Sequence, residues 1–167
     1  MKPTLLYIRG CPGSGKITTA KIVARELGWP LLWFHDFDFL RPAIGEALAA
    51  DMVIGDAIHV VLNGLIKSGR NVVYVRPSRT PETVNRTRRL AEQHGCRFVL
   101  VGLTASYGTL CERVSSRPGT EYRISTRDGL DEYLSRPEFY EFDDQHTFDT
   151  TDIWPSKTAQ KIIELVR

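Results

Sequence analysis

Nothing in the 167-residue sequence supplies a disulfide framework or a zinc ligand set. Its three cysteines, Cys11, Cys96 and Cys111, are odd in number and no two share metal-ligand spacing. Charge of one sign is also lacking: a net charge of +2 and a pI near 8.5 permit an anionic ligand but do not demand nucleic acid. No repeat, low-complexity tract or linker divides the chain, so residues 1–167 read as one domain. No apolar run stands out as bilayer-spanning, and Met1-Lys2-Pro3 leads into strand-like sequence without a charged-then-apolar leader. The expectation is a soluble, cytoplasmic chain with no membrane partner.

What is present is an ordinary globular composition, 42% hydrophobic and 25% charged, able to fill one sizeable core. Its patterning alternates between two periods. Thr4 to Arg9 is a short apolar strand closed by Gly10; from Lys16 the period turns helical, with Gly28 as the stop. Pro30 to His35 is a second apolar run of strand length, and residues 43–68 carry a helical apolar face from Ile54 to Ile66. Asn71–Val75 is a third strand, followed by a helix from the Thr80-Pro81-Glu82 start to about His94. Arg97–Leu103 is a fourth strand. Helices near Ser106–Val114 and Thr126–Ser135, a weak strand near His146–Asp149 and a last helix over Pro155–Val166 complete the series. Strands alternating with helices predict an α/β fold, a parallel sheet of about five strands sandwiched between two helix layers.

The chemistry centres on Gly10-Cys11-Pro12-Gly13-Ser14-Gly15-Lys16, between the first strand and first helix. This satisfies G-x-x-x-x-G-K in its required strand–loop–helix context. Small residues let backbone N–H groups surround phosphate oxygens, the helix adds its positive end, and Lys16 adds a mobile charge over the β- and γ-phosphates. Ile17 departs from the pattern, because that position ordinarily offers a Ser or Thr hydroxyl to magnesium. Thr18 and Thr19 point about 100° and 200° away from it on a helix. Nucleotide binding through the backbone and Lys16 is expected to survive; efficient magnesium-dependent transfer is where Ile17 bears. No protein metal ligand is assigned.

GCPGSGKIT resembles the opening of P-loop kinases of the polynucleotide 5′-kinase type, with the likeness continuing in pieces through about residue 127. The resemblance implies a P-loop NTPase-like sandwich with an arginine-bearing lid, ATP as donor with magnesium, and transfer of the γ-phosphate to an acceptor hydroxyl. In that family an aspartate, two residues and an arginine follow the second strand. Asp38-Phe39-Leu40-Arg41 fits, implying Asp38 as general base and Arg41 as holder of the acceptor phosphate. Asp36, on the same side if the stretch is extended, is the reserve; two loop acids flanking apolar Phe37 and Phe39 is the plain alternative. Cys111 to Thr120 resembles the lid, which implies that Arg117, supported by Arg113, reaches the triphosphate; a solvated helix end is the competing reading. Where such kinases commonly end the third strand on an acid, this chain has Arg76.

The resemblance favours a nucleic-acid 5′ end as acceptor, with a nucleoside, sugar or antibiotic as the small-molecule alternative. Ile17 and Arg76 keep a third reading open, a nucleotide-binding module with little catalysis. Arg79, Arg86, Arg88 and Arg89 could guide an acidic acceptor or simply line a solvated helix. The four histidines share no ligand spacing, and His35 reads as a polar strand end beside the acidic loop. Trp29, Trp33 and Trp154 are expected in the core or at its edge, Cys11 as packing. Phe148 to Thr151 falls where small kinases of this kind often build the adenine side.

Overall fold

The computed structural model describes residues 2–77, 81–118, 123–136 and 142–167. Five parallel strands lie in the order β2-β3-β1-β4-β5: β1 Thr4–Gly10, β2 Leu31–Trp33, β3 Val72–Val75, β4 Arg97–Thr104 and β5 Gln145–Asp149. Every residue of β1 and β3 is buried, as expected for strands covered on both faces. Alternate residues point to opposite sides, so one apolar strand feeds two cores. Leu6, Ile8, Val73 and Val101 meet α1 (Lys16–Leu27) and α7 (Pro155–Val166) through Ala20, Val23, Ala159 and Ile162. Leu5, Tyr7, Val72 and Leu100 meet α3 (Ala47–Lys67) and α4 (Pro81–Gln93) through Ile54, Ile58, Leu62 and Val84. The expected α/β sandwich with a five-stranded parallel sheet is the fold observed.

Two boundaries differ from the sequence pattern. The helix expected over 43–68 is broken at Gly45 (φ +87°), leaving a one-turn α2 (Arg41–Ile44) before α3. Pro30 to His35 does not stay extended: only Leu31–Trp33 pairs with β3, and Phe34–Leu40 winds into a 3₁₀ helix. Phe34 is buried there against the α3 side of the core, which turns the chain at that point.

α3 also corrects the view that no apolar segment has spanning length. Ala49–Lys67 has a mean hydropathy of 1.5 and is long enough to cross a membrane by length and composition. Its Ile54, Ile58, Leu62 and Ile66 are instead spent on the sheet, while Met52, Val53 and Val60 stay exposed.

A smaller apolar cluster joins α5 (Tyr107–Ser115) to α6 (Arg127–Ser135) through Leu110, Val114 and Leu130. Ile124 and Cys11 pack against it, so the segment after α5 is tied to the loop after β1. That couples both sides of the cavity described next.

Candidate active site

A cavity of about 1150 Å³ opens at the carboxyl ends of the parallel strands, where ligands of such sheets bind. The loop from Pro12 to Lys16 forms one wall; Trp33, Phe34, His35, Arg41 and Asp51 form another; Arg117, Arg123 and Ile124 overlie it; Thr150 to Pro155 close one end.

The loop's shape depends on glycine. A side chain at Gly10 would collide with the Leu103 carbonyl and the Ser14 hydroxyl. At Gly13 (φ +84°) a Cβ would lie 3.0 Å from the Leu110 carbonyl oxygen, in a backbone conformation that other residues avoid. The turn closes with Ser14 N donating to Cys11 O at 3.2 Å, and the Lys16 ammonium donates to the same carbonyl at 3.0 Å. Burial pushes the Lys16 pKa down to about 8, with Arg117 adding repulsion and Cys11 working the other way. Among the described residues no carboxylate pairs with this ammonium. Cys11 itself packs against the α5–α6 cluster, and burial pushes its thiol up, which suits packing and not nucleophilic chemistry.

Ile17 lines the cavity with an aliphatic side chain. Thr18, a candidate nucleotide contact, and Thr19 also line it; Thr18 is exposed, while Thr19 is buried and its hydroxyl has no hydrogen-bond partner among the described residues. No cluster of three His, Cys, Asp or Glu capable of holding a metal is found among the described residues. At the position directly after Lys16 the side chain thus carries no oxygen to offer a magnesium ion.

The two lid arginines divide in role. Arg113 Nη1 donates to Gly13 O at 3.4 Å and Thr150 Oγ1 at 3.1 Å; Nη2 donates to Thr150 O at 2.7 Å and Thr151 O at 3.3 Å. Its hydrogen-bonding capacity goes into clamping the phosphate loop to the segment after β5, not into reaching outward. Arg117 borders the cavity and donates to the Ile124 carbonyl. Burial and then the nearby Arg123 lower its pKa. Arg123, whose guanidinium sits 4.4 Å above the Trp33 ring, escaped the sequence reading because nothing in its local pattern ties it to Trp33. Gly119 and Thr120 of the lid, like Arg79 and Thr80, lie outside the described residues.

The residues around Asp38 form a row. In a 3₁₀ helix residues three apart eclipse one another, so His35 and Asp38 align, and Arg41, which caps that helix and opens α2, continues the row. His35 Nδ1 is 2.7 Å from Asp38 Oδ2, Arg41 Nε donates to Asp38 Oδ1 at 2.7 Å, and Arg41 Nη2 meets Asp51 Oδ1 at 2.7 Å. Burial works against the Arg41 charge, but the Asp38 and Asp51 hydrogen bonds outweigh it and raise its pKa. His35, Arg41 and Asp51 line the cavity and Asp38 does not; it stands behind them with both oxygens engaged. Asp36 is exposed and away from the lining. The premise that it shares a side with Asp38 fails, because two residues in a 3₁₀ helix are about 240° apart. Asp51, from α3, is a cavity carboxylate the sequence did not announce, as is Asp152 at the far end.

Other expected sites move off the centre. Arg76 does not border the cavity; its guanidinium lies 4.6 Å over the Phe34 ring and against Gly55 of α3. Arg86 pairs with Asp56 at 2.7 Å and Arg88 with Asp144, while Arg89 is exposed; none of the three lines the cavity. Thr150 and Thr151 do line it, but Phe148 packs into the core. Trp29 and Trp33 pack at the core edge as expected; Trp154 does not, standing 79% exposed at the cavity rim.

Residues 5–138 match the family described as AAA domain. The chain belongs to the AAA domain family. This AAA domain has the P-loop kinase-like fold. A candidate kinase from Chloroflexus aurantiacus j-10-fl superposes with a TM-score of 0.78 at 20% identity, over 98% of each chain. The APS kinase CysC of Mycobacterium tuberculosis, solved with AMPPNP and APS, superposes at 0.68 with 18% identity, over 99% of this chain and 98% of that one. A gluconokinase from Sinorhizobium meliloti 1021 gives 0.66 at 18% identity, over 98% and 91%. At these identities the likeness is one of fold. Among curated protein sequences none matches this AAA domain.

Proposed function

We propose that the protein transfers the γ-phosphate of ATP to a hydroxyl of a small, anionic molecule. The observation that carries this is the single cavity with the phosphate loop on one wall and the His35–Arg41–Asp51 row on another. Its volume, about 1150 Å³, is at the upper end of small-molecule sites and leaves room for a donor beside an acceptor. Phosphoryl transfer requires positioning and charge stabilisation more than covalent help, and the walls offer both. Lys16 and the loop amides would hold the donor phosphates, Arg117 would neutralise charge on the moving group, and Arg41 would orient the acceptor. The Asp38 row would manage the acceptor proton.

A small acceptor is favoured over a nucleic-acid end for two reasons. Arg86 and Arg88 are paired with acids and, like Arg89, do not line the cavity, so among the described residues that helix brings no basic track to it. Two of the solved structures with this fold carry the names gluconokinase and APS kinase. Radiolabelled ATP offered with gluconate, adenosine 5′-phosphosulfate, nucleosides and a 5′-hydroxyl oligonucleotide tests this. Label on a small molecule supports the reading, label on the oligonucleotide alone replaces it with the polynucleotide one, and ATP binding with no transfer leaves a binding module. Ile17 bears on the last outcome. Restoring a hydroxyl with Ile17→Ser should raise magnesium-dependent turnover about tenfold or more if Ile17 limits catalysis, taking as guide the ~10–100-fold cost of altering a metal's supporting groups.

A further inference from the structure

The row of hydrogen bonds on the acceptor side has a direction. Asp38 holds Nδ1 of His35 at 2.7 Å, and of the two residues His35 lines the cavity while Asp38 does not. Nε2, across the ring from Nδ1, has no partner among the described residues. The second oxygen of Asp38 is taken by Arg41, which is itself fixed by Asp51, so the carboxylate cannot swing toward a substrate without breaking the row. The ring is also held by its neighbours: Trp33 lies edge-on at 5.4 Å between centroids and Phe34 at 5.7 Å.

We propose that His35 Nε2 is the base that accepts the acceptor hydroxyl's proton, and that Asp38 is the positioning residue that fixes the imidazole's orientation and tautomer. This rests on the phosphotransfer reading and names the atom that serves it. In the step, the acceptor oxygen gives a lone pair to the γ-phosphorus while its proton passes to Nε2. The bond from the γ-phosphorus to the β,γ-bridging oxygen breaks, and ADP leaves with that electron pair. The imidazolium is stabilised by Asp38, which takes no proton, and later releases its proton to solvent. An imidazole oriented this way by a carboxylate is an efficient general base.

The charges around the ring suit the role. Burial lowers the His35 pKa from its usual value; the hydrogen bond and charge of Asp38 oppose this, and Arg123 from the rim and Arg41 from the row add to the lowering. The ring is therefore neutral at pH 7, with Nδ1–H donated to Asp38 and the Nε2 lone pair available. No such assignment is visible in the sequence, where Asp38 alone fits the pattern.

The test is transfer from ATP to the best acceptor of the panel, followed against pH in the parent, His35→Gln, His35→Ala and Asp38→Asn, with calorimetric ATP binding as control. We expect His35→Gln to keep ATP affinity, to lose about 100-fold or more in kcat, and to lose the acidic limb of the kcat profile. Asp38→Asn should lose less and move that limb to lower pH, because the charge that raises the His35 pKa is gone. Added imidazole should restore part of the His35→Ala rate. If His35→Gln keeps the parental rate or its acidic limb, or if the limb disappears only in Asp38→Asn, the assignment to His35 is overturned. Should His35→Gln melt well below the parent, nitrogen-15 NMR of the parent protein decides. An unprotonated Nε2 at pH 7 whose signal shifts on adding ATP and the acceptor supports the base; a proton on Nε2 overturns it. A parent that transfers phosphate to nothing sinks the phosphotransfer reading itself, a result distinct from an active parent indifferent to His35.

Discussion

The two cavity walls proposed to hold donor and acceptor are built by different means. The donor wall is backbone: Gly10, Gly13 and Gly15 at positive φ, a loop closed on the Cys11 carbonyl, and one lysine. The wall proposed for the acceptor is side chain: a 3₁₀ helix aligns His35 and Asp38, Arg41 follows at the start of α2, and α3 supplies Asp51. A wall made of amides is fixed by local conformation and tolerates little change in residue size. A wall made of a hydrogen-bonded row depends on partners distant in sequence, and its members act through one another. Damage to the first should therefore appear in nucleotide binding, and damage to the second in turnover or acceptor affinity.

Gly13→Val offers the largest break in that comparison. The new Cβ would press on the Leu110 backbone in a conformation that valine avoids, so calorimetry should detect no ATP binding at all. Detectable binding at parental affinity would mean that the amides are not the donor site.

Lys16→Met should be smaller, weakening ATP on the order of 100-fold, in line with a charge-assisted hydrogen bond of up to ~3 kcal/mol. The same lysine gives a pH signature. Its pKa is lowered to about 8 by burial, so the charged form needed for phosphate is lost as pH rises through that value. ATP affinity of the parent should fall between about pH 7 and pH 9 and be flat over that range in Lys16→Met; a parent with no fall would contradict the role given to Lys16.

Much of the donor wall, and nearly all of the sheet, was legible because both are local. Strand and helix periods announced themselves in runs such as Leu5–Ile8 and Val72–Val75, and the glycine spacing of 10, 13 and 15 implies a turn whatever surrounds it. The acceptor wall was legible only in part. Asp38 and Arg41 fit a recognisable spacing, yet Pro30 to His35 looks like strand throughout, and the burial of Phe34 against the α3 core is what ends pairing at Trp33. Asp51 and Arg123 carry no local signal, since each is brought in by an element packed from elsewhere.

Arg113→Ala sharpens the boundary between the walls. It removes the hydrogen bonds joining Gly13 to Thr150 and Thr151, so stability should fall by about 1.5–3 kcal/mol, the range for a bond to a charged group. ATP affinity should drop with it, measured by thermal melts and calorimetry. An Arg113→Ala protein that melts normally but turns over slowly would return Arg113 to the catalytic role expected from the lid.

The smallest effect belongs to Asp51→Asn. Its carboxylate is half exposed, where an ion pair is worth about 0.2–1 kcal/mol. The acceptor KM should change by no more than about fivefold, with ATP affinity untouched. A change in ATP affinity would show that the two walls are not separable.

The order of strands and helices, the phosphate loop and the isoleucine after its lysine follow from sequence alone. Each rests on periodicity or on backbone conformations that few residue types can take. The packed chain decided which of the candidate groups share a cavity. Asp38 retreats behind His35, Arg113 turns inward as a clamp, Arg76 leaves for the α3 face, and Asp51 arrives from α3. A side chain's direction is set by the element it sits on and by what that element is pressed against, and those contacts are long-range.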